Sequence, residues 1–256
     1  MDMAALPRAA ELARAGASKG AANPRWHPGS KCPLHSEIFA PADDASGTGA
    51  ALALALDGLR VRGAGKLGQG AEEGAVLWVQ DEKARKLSGR PYRPGLPEAL
   101  RHRLIHVAAK TSEDALFALE EGVRCRDLAC VIGELAGNPK ALSFTASRRL
   151  SLAAEKHNVP LFLIRLDAEP DLSSARMRWK VRAAPSAPPL WNTAAPGRPA
   201  WHAELFRART HTPGEWILRD GNAFLAAERA TPAHAPAAPD HGDLGLRAGA
   251  RSLAAS

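Results

Sequence analysis

Residues 35–41, with the sequence HSEIFAP, are followed by a Gly-Thr-Gly triplet at 47–49 and by a run of alanines and leucines at 50–56. This order predicts a buried strand, a glycine-containing loop and a helix packed on a sheet. The N-terminus of such a helix offers free backbone N–H groups and the positive end of a dipole to an anion. The segment therefore has the arrangement of a phosphate-binding loop.

The predicted loop lacks the lysine that a working phosphate loop requires. In the pattern G-x-x-x-x-G-K-[ST], lysine reaches the β- and γ-phosphates and the hydroxyl holds magnesium. Here the nearest downstream lysine is Lys66, beyond the helix, and Asp43 and Asp44 would repel a triphosphate. The sequence predicts a degenerate phosphate loop that hydrolyses no nucleotide and needs no cofactor, and it leaves nucleotide binding as such open. An ordinary turn that needs glycine for backbone freedom is the alternative. The residues of the degenerate loop are Pro41, Gly47, Thr48 and Gly49.

Apolar strands and helical segments alternate downstream of this loop. Strands are predicted near residues 36–40, 75–80, 103–108, 128–134 and 161–166, with helices near 45–62, 112–124 and 141–157. Leu52, Leu56 and Leu59 fall on one face of the first helix and predict that this face packs on the sheet. Strands separated by such helices form βαβ units. The fold class is α/β with a mostly parallel sheet flanked by helices.

The pattern changes to strict alternation after residue 167. Met177, Trp179 and Val181 fall on one face of a predicted strand, and a hairpin around residues 212–214 follows it. The chain therefore continues as a C-terminal antiparallel β extension. The opposite, cationic face is a candidate for binding DNA or a partner protein, and two arginines of the long helix extend it. An edge strand protected from aggregation by its charges is the alternative. The candidate binding residues are Arg176, Arg178, Lys180, Arg182, Arg148 and Arg149.

Composition sets the domain boundaries and the cellular compartment. Residues 1–33 are predicted to be an N-terminal helix and linker, 34–220 the α/β domain with a mobile loop near 184–199, and 221–256 a largely disordered tail. No stretch is apolar enough for a membrane span, and three cysteines without a C-x-x-C pair favour the reducing cytoplasm. The net charge of +7 favours acidic partners such as nucleic acid.

Few residues qualify for catalysis or metal binding. Glu82 follows the second strand and could activate water, although an acidic cluster there also suits a helix cap. The strand at 128–134 has Gly133 where a magnesium-binding acid would stand, and alternation predicts Glu134 on the other face. His27 and its neighbours at 32 and 35 offer too few ligands, so no metal site is predicted.

Several short segments resemble the ImuA family of RecA-like proteins, over most of residues 30–220. The specific ones are Gly-Arg-Pro-Tyr at 89–92, within SGRPYRPGL at 88–96, and PGEW at 213–216. Weaker ones are HSEIFAP at 35–41, LWVQDE at 77–82, SEDAL at 112–116 with two glutamates at 120–121, VIGE at 131–134 and Arg-Trp at 178–179. The resemblance implies a RecA-like fold in which Glu82 takes the position of RecA's catalytic glutamate.

The resemblance also implies a function and partners. Members of the family are accessory proteins of SOS-induced mutagenesis that support translesion synthesis together with ImuB, an inactive polymerase relative, and an error-prone polymerase. Contact with RecA or its DNA filament is also implied. The expectation is thus a non-catalytic RecA-like adaptor. Two alternatives stay open: an ATP-hydrolysing enzyme with Glu82 as the base, and a SulA-like inhibitor of cell division.

Overall fold

Long apolar segments form the parallel half of a mixed sheet. The structure is a computed structural model that describes residues 23–64, 74–192, 194–221 and 224–230. Parallel strands that are covered on both faces are rich in apolar side chains, and so are the first five strands, although buried polar residues such as Glu37, Glu134 and Arg165 interrupt three of them. These strands are β1 (His35–Ala40), β2 (Ala75–Gln80), β3 (Leu104–Ala108), β4 (Leu128–Ala136) and β5 (Leu161–Leu166).

Four further strands extend the sheet beyond β1. They are β6 (Met177–Ala183), β7 (Ala200–Ala208), β8 (Gly214–Gly221) and β9 (Phe224–Arg229). The strand order is β3-β2-β4-β5-β1-β6-β7-β8-β9. β6 pairs with β1 in parallel, whereas β7, β8 and β9 each pair antiparallel to the preceding strand. The predicted α/β class, mostly parallel sheet and antiparallel C-terminal extension are confirmed.

Helices cover the two faces of the parallel half. They are α1 (Ser46–Ala64), α2 (Glu82–Ser88), α3 (Glu98–Arg101), α4 (Ser112–Arg124) and α5 (Phe144–His157), with a 3₁₀ turn at Arg93–Gly95. α1 packs on one face, in a core that includes Ile38, Ile132 and Trp179. α4 and α5 pack on the other face, in a core that includes Val131 and Leu163. These two faces are called the α1 face and the α5 face below.

The side of α1 that packs on the sheet only partly matches the predicted one. Its buried residues are Ala50, Ala51, Leu54, Ala55 and Leu59, while Leu52 and Leu56 are only half-buried. Gly58 fits the same side, because a Cβ atom there would lie 3.2 Å from the Cβ of Cys32. The prediction is confirmed for Leu59, while Leu52 and Leu56 pack against that core but stay half-buried, because the run at 50–56 is apolar on every side and its pattern selects no single face.

The segments that flank the predicted domain are partly ordered. Trp26, upstream of residue 34, is 4% exposed and packs edge-on against Trp179 and Trp216, with ring centroids 4.9 and 5.5 Å away. β9 pairs along its length with β8, so the expectation of disorder is wrong for residues 224–229. The predicted N-terminal helix and the tail beyond residue 230 lie outside the described residues. No helix in the described ranges is long and apolar enough to cross a membrane.

Candidate functional site

Two carboxylates of the chain accept hydrogen bonds from backbone N–H groups of the loop between β1 and α1. The N–H groups of Ser46 and Ala183 donate to the two carboxylate oxygens of Asp44 over 2.7 and 3.2 Å. The N–H of Ala42 donates to Oδ1 of Asp167 over 2.8 Å. An aspartate that accepts the backbone N–H two residues later forms a local turn, and a negative charge near a helix N-terminus is favourable. Asp44 therefore places a carboxylate beside the first residue of α1.

The loop glycines are explained by the close packing of α1. A Cβ atom on Gly47 would lie 2.6 Å from the Cβ of Ala40, and one on Gly49 would lie 2.8 Å from the ring of Trp201. Atoms cannot approach this closely, so only glycine lets the helix sit this near the sheet. Both glycines lie within α1 and neither has a positive φ angle, so close packing explains them, and the backbone freedom of a turn does not.

A cleft of about 380 Å³ opens beside the loop, between residues 42–45 and residues 87–92. It is called the loop cleft. Thr48, Gln80 and Glu134 also line it. Glu134 is 1% exposed, and its carboxylate accepts hydrogen bonds from four side chains, which satisfies this buried charge. The donors are Trp78 Nε1 at 2.7 Å, Ser88 Oγ at 2.7 Å, Gln80 Nε2 at 3.0 Å and Thr48 Oγ1 at 3.4 Å.

The prediction that Glu134 points away from the loop was wrong. Glu134 pairs with Gln80 across β2 and β4, and its contact with Thr48 places it on the α1 face. Gly133 points to the α5 face instead, where a Cβ atom would lie 2.8 Å from a methyl group of Leu119. The prediction that Gly133 and Glu134 lie on opposite faces of the sheet is correct, but the two faces were interchanged. A carboxylate therefore does lie beside the loop, held by four donors.

Glu82 lies in a separate cleft of about 370 Å³, beyond the carboxyl ends of β2 and β4. Its hydrogen bond and ion pair with Lys86, 3.0 Å away, lower the pKa of its carboxyl group. This change makes Glu82 a weaker base. The neighbouring Asp81 caps α2, because its Oδ1 accepts from the N–H of Ala84 over 2.7 Å. The helix-cap interpretation is confirmed for Asp81.

The cationic strand forms no continuous basic surface. β6 lies between β1 and β7, so the alternative that it is an edge strand is wrong. Lys180 and Arg182 are exposed near the loop end of β6, and Arg176 pairs with Glu155 near its start. Arg178, between them, is only 3% exposed. Its predicted place on a cationic outer face was therefore wrong.

Arg178 is held in a buried ion pair. Its Nε lies 2.7 Å from Oε2 of Glu37, which is fully buried and also accepts from Ser173 Oγ over 2.7 Å. The guanidinium group stacks on the rings of Phe39 and Phe206, with centroids 5.0 and 5.4 Å away. A fixed carboxylate and two rings make this arginine part of the core.

The two candidate arginines of α5 are exposed but differ in their partners. Arg149 pairs with Glu120 of α4 at 3.0 Å. Arg148 lines a groove of about 600 Å³ between α5 and the adjoining ends of β6 and β7, together with Arg176. Arg207 of β7, which the sequence analysis did not select, lines the same groove. It is called the arginine–serine groove.

A chain of buried hydroxyl groups lies beneath this groove, and the sequence analysis missed it. Ser151 Oγ lies 2.7 Å from Nδ1 of His35 and 2.6 Å from Oγ of Ser174. Ser147 Oγ lies 2.9 Å from Oγ of Ser173. The only available signal was His35 in an apolar strand, since a buried imidazole needs polar neighbours.

His27, Cys32 and His35 do not form a metal site. His35 bonds to Ser151, while His27 is exposed with Nδ1 2.7 Å from the carbonyl oxygen of Pro28. Burial raises the pKa of the Cys32 thiol to about 11, so this sulfur is a protonated thiol at neutral pH. The described residues contain no group of three metal-ligating side chains.

No protein-family model matches the chain, and no curated protein sequence matches it significantly.

Proposed function

We propose that this chain is a non-catalytic RecA-like adaptor of the ImuA family. In this proposal it supports translesion synthesis during SOS-induced mutagenesis by binding ImuB, an error-prone polymerase and RecA. The observation that carries the proposal is the occupied loop after β1. Asp44 accepts from the backbone where a nucleotide phosphate would bind, and the described loop holds no lysine.

The loop cleft supports the same conclusion through its charge. Asp43, Asp44 and Glu134 line it, and Arg90 is the only cation among the described residues of its lining. A triphosphate carries several negative charges and would face three carboxylates there. The specific Gly-Arg-Pro-Tyr segment of the ImuA resemblance also lines this cleft, with Tyr92 74% exposed. An exposed aromatic side chain of this kind suits contact with a protein.

Assays of nucleotide binding and hydrolysis test the proposal that the chain is non-catalytic. We expect the full chain to show no binding of magnesium-ATP by calorimetry and no release of phosphate. Tight binding with turnover that is abolished by Glu82→Gln would support the ATP-hydrolysing alternative instead. Glu134→Gln is the matched variant, because this second carboxylate lines the loop cleft whereas Glu82 does not.

Complex formation with the proposed partners tests the adaptor function. The full chain, mixed with purified ImuB and the error-prone polymerase of the same organism, is expected to elute with them as one complex in size-exclusion chromatography. FtsZ in a parallel mixture is the control. Elution with FtsZ alone would identify the SulA-like alternative, and elution with none of these proteins would refute the adaptor function. Fluorescence anisotropy with single-stranded and duplex DNA decides separately whether DNA is bound directly.

A further inference from the structure

We propose that the arginine–serine groove binds a short acidic peptide segment of a partner protein, one that also carries apolar side chains. The proposal rests on the adaptor function proposed above and assigns a surface and a chemistry to it. The groove has a volume of about 600 Å³, within the range of sites that hold a few side chains.

The first argument is unbalanced positive charge. Arg148 and Arg207 line the groove, and neither has a carboxylate within 4.0 Å in the part of the chain that the structure describes. Arg176 and Glu155, at the same groove, pair with each other. The net charge of the lining is therefore positive. Guanidinium groups recognise carboxylates through paired, parallel hydrogen bonds, so an acidic side chain complements this surface.

The second argument is exposed apolar surface on the same wall. Phe144 and Leu152 are 42% and 51% exposed, and both line the groove. They stand four residues to either side of Arg148 on α5, so one helical face alternates apolar, basic and apolar side chains. A partner segment that offers only carboxylates would leave these two side chains in water. An acidic segment with leucine or phenylalanine buries them and pairs the arginines.

The third argument is the direction of the hydrogen bonds beneath the groove. Burial lowers the pKa of His35 to about 4, so the ring is neutral at pH 7. Its Nε2 is buried without a partner among the described residues. An unpaired lone pair costs less than an unpaired N–H, so the proton belongs on Nδ1, which then donates to Ser151. Ser151 in turn donates to Ser174. Ser174 Oγ, at the wall of the groove, also lies 3.2 Å from Oγ of Ser147, and a carboxylate bound in the groove would compete for its proton.

The geometry favours a peptide over a nucleic acid. A single strand of DNA needs cations spaced along a track and several stacking rings. The exposed cations of β6, Lys180 and Arg182, lie near the other end of that strand, and buried Arg178 interrupts the row. The groove itself offers one aromatic ring, that of Phe144, and includes the carboxylate of Glu155.

Fluorescence anisotropy with defined probes tests the proposal on the full chain. The probe is a fluorescein-labelled peptide of sequence DEFDELLDEF. Its controls are NQFNQLLNQF, which lacks the charges, and DESDESSDES, which lacks the apolar side chains. We expect a dissociation constant of about 10–100 µM for the probe and binding about tenfold weaker for each control.

Matched variants assign the binding to the groove. The double variant Arg148→Glu/Arg207→Glu is expected to weaken binding by at least about tenfold, and Leu152→Ser by about threefold to tenfold. Arg198→Glu is the control, since this exposed arginine precedes the opposite end of β7, about 30 Å from Arg207. All these positions are exposed, so the variants should fold, and near-ultraviolet circular dichroism verifies it.

The outcomes separate the two proposals. No binding of the probe by the wild-type chain, or equal binding by the double variant, would overturn the groove assignment and leave the adaptor function to its own chromatographic test. Tighter binding of an oligothymidylate than of the peptide, lost in the same double variant, would show a nucleic-acid contact and would also overturn the proposal.

Discussion

Replacing Arg178 should lower the free energy of unfolding, because this side chain belongs to the core and not to a binding surface. Arg178→Met keeps an unbranched apolar stem but leaves the carboxylate of Glu37 without its cation. That carboxylate is fully buried and would retain a single donor, the hydroxyl of Ser173 at 2.7 Å. Asp171, 3.8 Å from the guanidinium group, is 37% exposed and contributes less, because water screens it.

The size of the stability loss follows from the burial of the Glu37 carboxylate. Removing one partner of a buried ion pair costs about 3–5 kcal/mol, since the other charge stays desolvated. The lost stacking on Phe39 and Phe206 adds about 1 kcal/mol, which a methionine thioether partly replaces. We expect the free energy of unfolding to fall by about 4 kcal/mol. For a domain of this size, about 2–4 °C per kcal/mol gives a drop in Tm of roughly 8–16 °C.

Urea unfolding, followed by tryptophan fluorescence, measures the effect. Lys180→Glu is the matched control on the same strand, because this exposed residue should change stability by less than about 0.5 kcal/mol. The double variant Glu37→Leu/Arg178→Met removes both charges and should cost much less than the sum of the single changes. A loss below about 1 kcal/mol for Arg178→Met would refute the reasoning from burial.

Three further predictions concern stability. Asp44→Ala should cost about 0.5–2 kcal/mol in urea unfolding, because the N–H groups of Ser46 and Ala183 lose their acceptor, whereas exposed Asp43→Ala should cost little. Neither variant should bind magnesium-ATP in calorimetry, because no lysine is restored. Gly133→Ala should cost about 1–3 kcal/mol, since its Cβ atom would lie 2.8–3.0 Å from methyl groups of two leucines, and an unchanged Tm would contradict that packing. Because the pKa of His35 is about 4 in the folded chain and near its ordinary value of 6.5 when unfolded, stability is full above pH 6.5 and falls by roughly 3 kcal/mol towards pH 4. His35→Gln should remove that part of the pH dependence, as measured by urea unfolding at several pH values.

The parallel strands could be predicted because each of them is surrounded by apolar side chains, whichever strand lies beside it. A strand buried on both faces is mostly apolar wherever it lies in the sheet, so β5, in which only Arg165 is polar, was located at residues 161–166 without knowledge of its partners. The cap of α4 is equally local, since Thr111 accepts from the N–H of Asp114 over 3.1 Å, a contact between residues three apart. Features that depend on nearby residues, or on apolar surroundings shared by all buried strands, can therefore be predicted without knowing the tertiary structure.

The environment of Arg178 could not be predicted, because it depends on residues far away in the chain. Alternation placed Arg178 on the face opposite Trp179, and this is correct. What decides its burial is Glu37, which lies 141 residues earlier and becomes its neighbour only when β6 pairs with β1. The arginine–serine groove depends in the same way on α5, β6 and β7 meeting. A pattern within one strand carries no information about such neighbours.

The occupied loop explains how the strand, loop and helix persist without a phosphate. A helix N-terminus needs acceptors for its free N–H groups, and in a nucleotide-binding protein the ligand supplies some of them. Here Asp44 accepts from one of them, that of Ser46, and it also accepts from Ala183 at the end of β6, so the loop is fixed to the sheet extension. Inserting a lysine alone would not restore a triphosphate site, because the carboxylate would pair with it first. The loop is thus stable without a ligand, which is the property that a binding scaffold with no nucleotide cycle requires.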